Sequence, residues 1–486
     1  MKSKVVLIMM MLSGLALPGP AQVPEDALRL SYALNPVGAR AMGMGGAYTG
    51  IANDFSAIFW NPAGLGQMDK GEFSFGLVYQ NVKNTSTFFG TETPYSQSAT
   101  TVNTAGLTIP VPTKRGSLVL AFGYNRGMNF TNPVAFKGFN PTSSIIQTSA
   151  PDGALYPLNL DNVWAYQLYL ANLDTTTGRY VSPIKNRLTQ SGTVTEEGGI
   201  NDWSAGAALE VARNLFAGVT LTYHAGSYNY SRSYAEEDLD RLYETFPFDF
   251  DRLAYDDFIA DDIDGFGAKF GILYRGGDVL RLGIALRTPT YYHVNETFGT
   301  KASSYFDNGD VYPVDAAYTE EYINEFDVYT PWVFSGGVSI NLWWLVLSGD
   351  LEFTDWATLE FANAPQEVLD NNKTIRETFK STLDYRVGAE FDLFGSGLRL
   401  RAGLGMQHSP YKEDPAPVPG DFFVTDFNRR SASAGLGIPL GSTAMFDIAY
   451  RATWWQTYRY NYAGTTSRVD ESLTDHQVLG TFSFRF

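Results

Sequence analysis

Apolar and polar side chains alternate residue by residue along short stretches of this chain, and the alternation recurs from about residue 71 to the last residue. In the final stretch Val478, Gly480, Phe482, Phe484 and Phe486 fall on one face, and Gln477, Leu479, Thr481, Ser483 and Arg485 on the other. A strand sends successive side chains to opposite faces, so this is a strand with one oily and one mostly polar side. Upstream, Leu398, Leu400, Ala402, Leu404 and Met406 oppose Arg399, Arg401, Gly403, Gly405 and Gln407. Tyr385, Val387, Ala389 and Phe391 oppose Arg386, Gly388, Glu390 and Asp392, and Leu345, Leu347, Gly349, Leu351 and Phe353 oppose Val346, Ser348, Asp350, Glu352 and Thr354. Each stretch has about the ten residues that a tilted membrane-crossing strand requires.

About fourteen such segments start near Gly71, Val102, Gly116, Trp203, Phe216, Phe266, Val279, Thr330, Leu345, Leu383, Leu398, Ser431, Ala444 and Gln477. Their connections alternate between short ones, such as Pro112 to Arg115 and Phe394 to Gly397, and long ones, of which Arg126 to Asp202 is the longest. Short turns on the periplasmic side and long loops outside mark an outer-membrane barrel, and an even count returns both ends to the same side. Aromatics stand where the strands meet the headgroups: Tyr79, Tyr124, Tyr223, Tyr274, Trp332, Trp343, Trp344, Trp454, Trp455 and Tyr458. The fold class expected is an all-β membrane protein, an antiparallel transmembrane β-barrel of about 14 strands.

Lys2 and Lys4, the apolar run Val5 to Leu17, and Gly19-Pro20-Ala21 have the order of a secretory signal peptide, so residues 1–21 are expected to be removed and Gln22 to begin the mature chain. The run is too short to cross a bilayer, and no later stretch approaches the roughly twenty apolar residues of a membrane helix. The chain has no cysteine, which leaves no lipid anchor or disulfide framework. Its net charge of -17 becomes -19 once Lys2 and Lys4 leave with the signal, which argues against nucleic acid as a partner.

Residues 22–70 precede the first strand, do not alternate, and are expected to form a plug, with the barrel at 71–486. A lumen of fourteen strands is too wide for its wall side chains to fill. The segment contains Gly43, Gly45 and Gly46 within Asn35 to Tyr48, and then Asn61-Pro62-Ala63-Gly64. Here the chain resembles the FadL family of outer-membrane transporters (FadL/TodX), which handle long-chain fatty acids and aromatic hydrocarbons. The resemblance implies an N-terminal hatch carrying these glycines and the Asn-Pro-Ala motif. It implies capture of cargo by outer loops, hatch movement, and exit sideways through a gap at a kinked third strand, where Gly123 is the candidate kink. The terminal Phe486 resembles the signal read by the barrel assembly machinery.

Apolar residues at helical spacing, Leu160, Val163, Trp164, Gln167, Leu168 and Ala171, and again Leu239, Leu242, Tyr243 and Phe246, suggest short helices in the loops that supply capture surfaces. Arg386, Arg399, Arg401 and Arg451 face the lumen and are candidate contacts for a substrate carboxylate, or else partners of wall carboxylates such as Asp350, Glu352, Glu390, Asp392 and Asp447. The acidic run Tyr234 to Asp264 is expected as a solvated surface near lipopolysaccharide rather than a calcium site. His224, His293, His408 and His476 have no metal spacing, and no G-x-S-x-G elbow occurs. The expectations are therefore no catalytic residue, no metal and no cofactor. The function expected is passive transport of hydrophobic molecules across the bacterial outer membrane by a monomer. The alternative is a structural or secretion-associated barrel that binds protein partners.

Overall fold

The computed structural model describes residues 23–32, 35–155, 163–244, 249–313, 322–412, 428–462 and 466–486. The expected signal peptide lies outside them. Among the described residues fourteen strands form the wall: β1 (Glu72–Phe88), β2 (Thr91–Val111), β3 (Leu118–Arg126), β4 (Leu188–Ala212), β5 (Leu215–Glu237), β6 (Phe250–Gly276), β7 (Leu280–Arg287), β8 (Val333–Leu342), β9 (Leu345–Asp355), β10 (Ser381–Asp392), β11 (Arg399–Gln407), β12 (Arg429–Leu440), β13 (Ala444–Tyr460) and β14 (Arg468–Arg485). Each pairs antiparallel with its neighbours in chain order. β14 returns to β1, with Glu72 opposite Arg485 and Thr87 opposite Asp470. Closure removes the free edges that an open sheet would leave in lipid. At the seam the Phe486 amide donates to Gly71 O (3.0 Å) and the Gly71 amide to Phe486 O (3.1 Å).

The alternation sets the facing. On β9 the outward Leu351 is 52% exposed, whereas its neighbour Asp350, turned to the lumen, is 3% exposed. Of the aromatics expected at the headgroups, Trp454 faces out, but Trp455 turns inward and lines the lumen. Adjacent residues on one strand cannot share a face.

Outside the membrane the strands run on further than expected. β1 and β2 are joined by only Phe89 and Gly90, both with positive φ (46° and 80°), as a two-residue hairpin demands. The long first outer connection expected between the segments starting at Gly71 and Val102 is therefore mostly strand. Asn84, Ser86, Thr93, Ser96 and Ser98 are polar on both faces, so the hydrophobic signal stops at the membrane while the pairing continues. Nor do the expected loop helices form as spaced. Trp164–Gln167 is one turn, with Leu160 outside the described residues. Around Leu239 the chain makes a turn instead, with the Asp238 carboxylate accepting from the Leu242 (3.0 Å) and Tyr243 (2.6 Å) amides; Phe246 lies outside the described residues. The long helix of the outer loops is Gln366–Thr378, whose Val368 and Ile375 join a buried cluster with Tyr292, Phe326, Trp356 and Phe361.

Above the wall, strands Tyr291–Phe306 and Tyr322–Tyr329 pair with each other and are clamped by His293 Nδ1, 2.8 Å from Asp327 Oδ1, while the Asn363 side-chain amide donates to the other oxygen. The bond to Asp327 holds the His293 pKa above its ordinary value. Burial pushes the Asp327 carboxyl up, but hydrogen bonds from Asn363, His293 and Tyr291 hold it below the usual range. The histidine's contribution is thus complete below its unfolded pKa and lost as pH rises through the raised folded value. The aspartate's contribution is lost only in strong acid. Amides of Tyr322–Tyr329, corrected for intrinsic rates, are expected to exchange faster at about pH 8.5 than at about pH 5.5. Equal corrected rates would reject the clamp.

Candidate transport pathway

The segment before β1 sits inside the barrel. Helix α1 (Pro24–Tyr32) lies high in the lumen, where Leu28, Leu30 and Tyr32 pack into the outer-loop cluster. Arg29 stacks on Tyr228, 3.9 Å from the ring centre, and Arg429 stacks on both Tyr32 and Trp455, 4.6 Å from each. Below it, α2 (Ala39–Gly43), α3 (Ala57–Trp60) and the 3₁₀ turn Pro62–Gln67 fill the periplasmic half.

Asn61, fully buried, explains the Asn-Pro-Ala motif. Its carboxamide oxygen accepts from the Ala63 amide (3.1 Å), capping the 3₁₀ turn that Pro62 begins. Its nitrogen donates to Thr49 O (2.9 Å) in the plug and to Ile272 O (3.3 Å) in the wall. Gly64 is needed because a Cβ there would lie 1.9 Å from Ala52 O. Asn61→Ala leaves the Ala63 amide and Thr49 carbonyl unpaired in the interior, at about 1–3 kcal/mol for each group. The expected result is several-fold faster proteolysis of the plug in detergent, with the barrel intact on gels; an unchanged cleavage rate would count against this role.

Gly43, Gly45 and Gly46 lie against the wall, as close backbone approach requires. The reciprocal half of that contact went unread in the sequence: inward-facing wall glycines form a seat for the plug. A Cβ on Gly403 would stand 2.1 Å from Gly45 N, and one on Gly283 2.1 Å from Thr49 O. The available signal was glycine recurring on the polar faces, as at Gly388 and Gly403, where lumen-facing side chains would otherwise be expected. Polar contacts bolt the plug down. Arg40 reaches Glu390 through two nitrogens at 2.8 Å each, and Glu390 also pairs with Arg401 (2.7 Å). Asp350 accepts from the Tyr48 (2.9 Å) and Thr49 (2.7 Å) amides. Asn103, the extra residue of a bulge in β2 opposite Gly76 and Leu77, turns inward to accept from the Gly38 amide (3.2 Å) and donate to Pro36 O (3.0 Å).

The candidate carboxylate contacts divide. Arg401, with 0% of its side chain exposed, is consumed by Glu390 and Asp447 (2.6 Å). Arg386 lines the lumen but pairs with Glu352 at 3.1 Å. Arg399 does not line the lumen cavity. Arg451 does; its Nη2 donates to Gln477 (3.2 Å), and its Nε has no hydrogen-bond partner among the described residues. The cavity, about 320 Å³ between α1 and the plug, is of mixed lining: Phe59, Trp60, Phe130 and Trp455 alternate with Lys269, Arg287, Glu352 and Asp475. It is not the purely apolar tunnel that an oily cargo suggests.

At Gly123 the wall is continuous. Gly123 sits opposite Gly106 on β2 and Ser204 on β4, and both ladders run unbroken through it. The expected gap at a kinked third strand is therefore not open in this structure, and the irregularity lies one strand earlier, at Asn103. What distinguishes the place is the plug's Phe55, 1% exposed, whose ring stands where side chains at both glycines would be: 1.9 Å from a Cβ on Gly106 and 2.4 Å from one on Gly123. The Phe55 amide donates to buried Glu72 (2.9 Å), which also takes the seam residue Arg485 (2.7 Å). On the lipid side of the same glycines lies an apolar trough of about 1090 Å³, lined by Phe73, Leu107, Phe122, Trp203, Leu221 and Phe266 among others.

A closed barrel with an oily outer face, a bolted internal plug and a bare spot in its wall defines a plugged outer-membrane channel. The model of the family described as outer membrane protein transport protein (OMPP1/FadL/TodX) matches residues 31–480, and the chain belongs to this family of the bacterial outer membrane. No curated protein matches the sequence. Among solved structures, a Pseudomonas aeruginosa FadL homologue aligns at 14% identity over 93% of this chain and 99% of that one, with a TM-score of 0.55. The Pseudomonas putida toluene transporter TodX aligns at 14% identity over 93% and 99%, with a TM-score of 0.53. At that identity the likeness is one of fold.

Proposed function

We propose that the protein is a passive channel for hydrophobic molecules, long-chain fatty acids and aromatic or aliphatic hydrocarbons. Outer loops take them up, the lumen passes them beside a moving hatch, and they leave sideways through the wall near Gly123. The observation that carries this reading is the apolar trough on the lipid side of the two bare glycines. A poorly soluble molecule gains from leaving into lipid and gains nothing from a watery exit. The solved relative named as a toluene transporter supports the cargo class. For a cargo with a carboxylate head, Arg451 is the best placed of the four arginines, because it lines the cavity and its Nε has no partner among the described residues. The hatch motif Gly43, Gly45, Gly46 and Asn61 to Gly64 seats and hinges the plug. We read the chain as a monomer without catalytic residues or cofactor, surrounded by outer-membrane lipid and lipopolysaccharide and inserted by the barrel assembly machinery.

The unbroken wall at Gly123 also suits a barrel that merely holds protein partners, and uptake separates the two readings. Cells carrying the protein are expected to take up labelled oleate and toluene faster than cells lacking it. Equal uptake in both strains, for both compounds, would reject transport.

A further inference from the structure

We propose that Arg451, Thr453 and Asp475 form a lumen site for an amphiphile with an uncharged head that both donates and accepts hydrogen bonds, a carboxamide being the simplest. The proposal rests on the transport reading above and narrows its cargo. Arg451 and Thr453 lie two apart on the inner face of β13, opposite Gln477 and Asp475 of β14. All four line the cavity, and Asp475 is only 8% exposed. Bonds within the patch use part of its capacity. Gln477 accepts from Arg451 Nη2 (3.2 Å) and donates to Asp475 Oδ2 (2.9 Å). Arg451 Nε, Thr453 Oγ1 and Asp475 Oδ1 have no partner among the described residues. Buried polar atoms are nearly always bonded, so three on adjoining positions of a cavity wall mark a place built to bond something else.

The three atoms set the chemistry. One is a donor, one is an acceptor, and the hydroxyl can act as either. A carboxylate accepting from Arg451 would stand against Asp475, and an ammonium bonding Asp475 would stand against Arg451, like charge against like in each case. An amide answers both without charge, and diagonal neighbours on paired strands are close enough for one head to bridge. Other cations of the lining do not tip the balance toward an anion, because Arg29 pairs with Asp26, Arg386 with Glu352 and Arg459 with Glu471. The tail has a bed beside the head. The next inward pair beyond Thr453 and Asp475 is Trp455 and Leu473, and Val82 of β1 stands opposite Asp475. These three line the same cavity. A plain hydrocarbon would lie on that bed and leave the polar atoms unbonded.

The test measures binding of tritiated decanamide to the purified protein in amphipol at neutral pH, with decanoate, decylamine and decane as competitors. Each is expected to compete at least tenfold more weakly than unlabelled decanamide. Asp475→Asn keeps the shape and removes one charge, and is expected to strengthen decanoate at least tenfold. Arg451→Gln removes the other, and is expected to strengthen decylamine by a similar factor. Loss of packing alone would weaken all four compounds together. Decanoate as tight as decanamide in the wild type would overturn the assignment, and that ranking needs no variant to fold. The wild-type ranking retained in both variants would overturn it as well. Uptake of labelled decanamide by cells is read separately and is expected to be faster with the protein than without it. Equal uptake beside the expected binding ranking would reject transport and leave the head-group site standing.

Discussion

Gly403→Val is expected to yield a barrel that folds and closes but cannot seat its plug. The position faces the lumen on β11, and any Cβ there meets Gly45 N at 2.1 Å and Met44 C at 2.3 Å. Those are backbone atoms of the plug, which cannot rotate away as a side chain can. Relief requires moving the Met44–Gly46 segment by more than an ångström, away from its contacts with Gly388 and Arg386. The outward side chains that hold the wall in lipid are untouched, so the folded barrel is expected to survive on gels. Entry of the polar probe nitrocefin is expected to rise at least tenfold over wild type. Gly336→Ala is the control, because nothing lies within 4 Å of a Cβ there. A Gly403→Val protein as tight as wild type would mean that the plug is held elsewhere and that the glycine seat is incidental.

Glu390→Gln is expected to unlatch the same plug by a different route. One carboxylate serves two arginines, Arg40 of the plug and Arg401 of the wall. The amide keeps the shape but not the charge, so Arg401 keeps only Asp447 at 2.6 Å, and Arg40 only Asp54 at 3.9 Å and Asn53. Breaking a buried pair from one side typically costs about 3–5 kcal/mol, because the remaining charge stays in a poor solvent. Wall strands have whole ladders to resist this, whereas α2 has five residues, so the loss falls on the plug. Hydrogen exchange of residues 39–52 is expected to rise more than a hundredfold, and planar bilayers holding the variant are expected to show discrete ion currents absent in wild type. Silent bilayers together with wild-type exchange would show that the ion pair is not the latch.

The barrel was legible in the sequence wherever one face met lipid, since lipid enforces strict alternation: the stretches around Leu345, Tyr385 and Leu398 fall on β9, β10 and β11 as expected. Legibility ended beyond the membrane, as in the outer halves of β1 and β2, because polar residues on both faces, the buried Asn84 and Ser86 among them, carry no hydrophobic period. The plug was legible as an exception to alternation and through its motif. Phe55 was not, because a single aromatic gains meaning only from two glycines that lie 51 and 68 positions further on. The lumen arginines were legible as inward-facing, but their pairing depends on register, which decides that Arg401 meets Glu390 while Arg451 faces Gln477.

The Ala39 amide donates to the hydroxyl of Thr481, 442 positions along the chain. Export threads the chain N-terminus first, so the plug enters the periplasm long before the strand that anchors it exists there. Contacts between such distant positions form slowly, since the intervening chain must be ordered first. Until β14 arrives, a segment holding Met42, Met44, Phe55, Phe59 and Trp60 has no seat to cover it, and periplasmic holding chaperones are expected to shield it meanwhile. Cells depleted of those chaperones are predicted to accumulate this protein as aggregate rather than as an empty, unplugged ring.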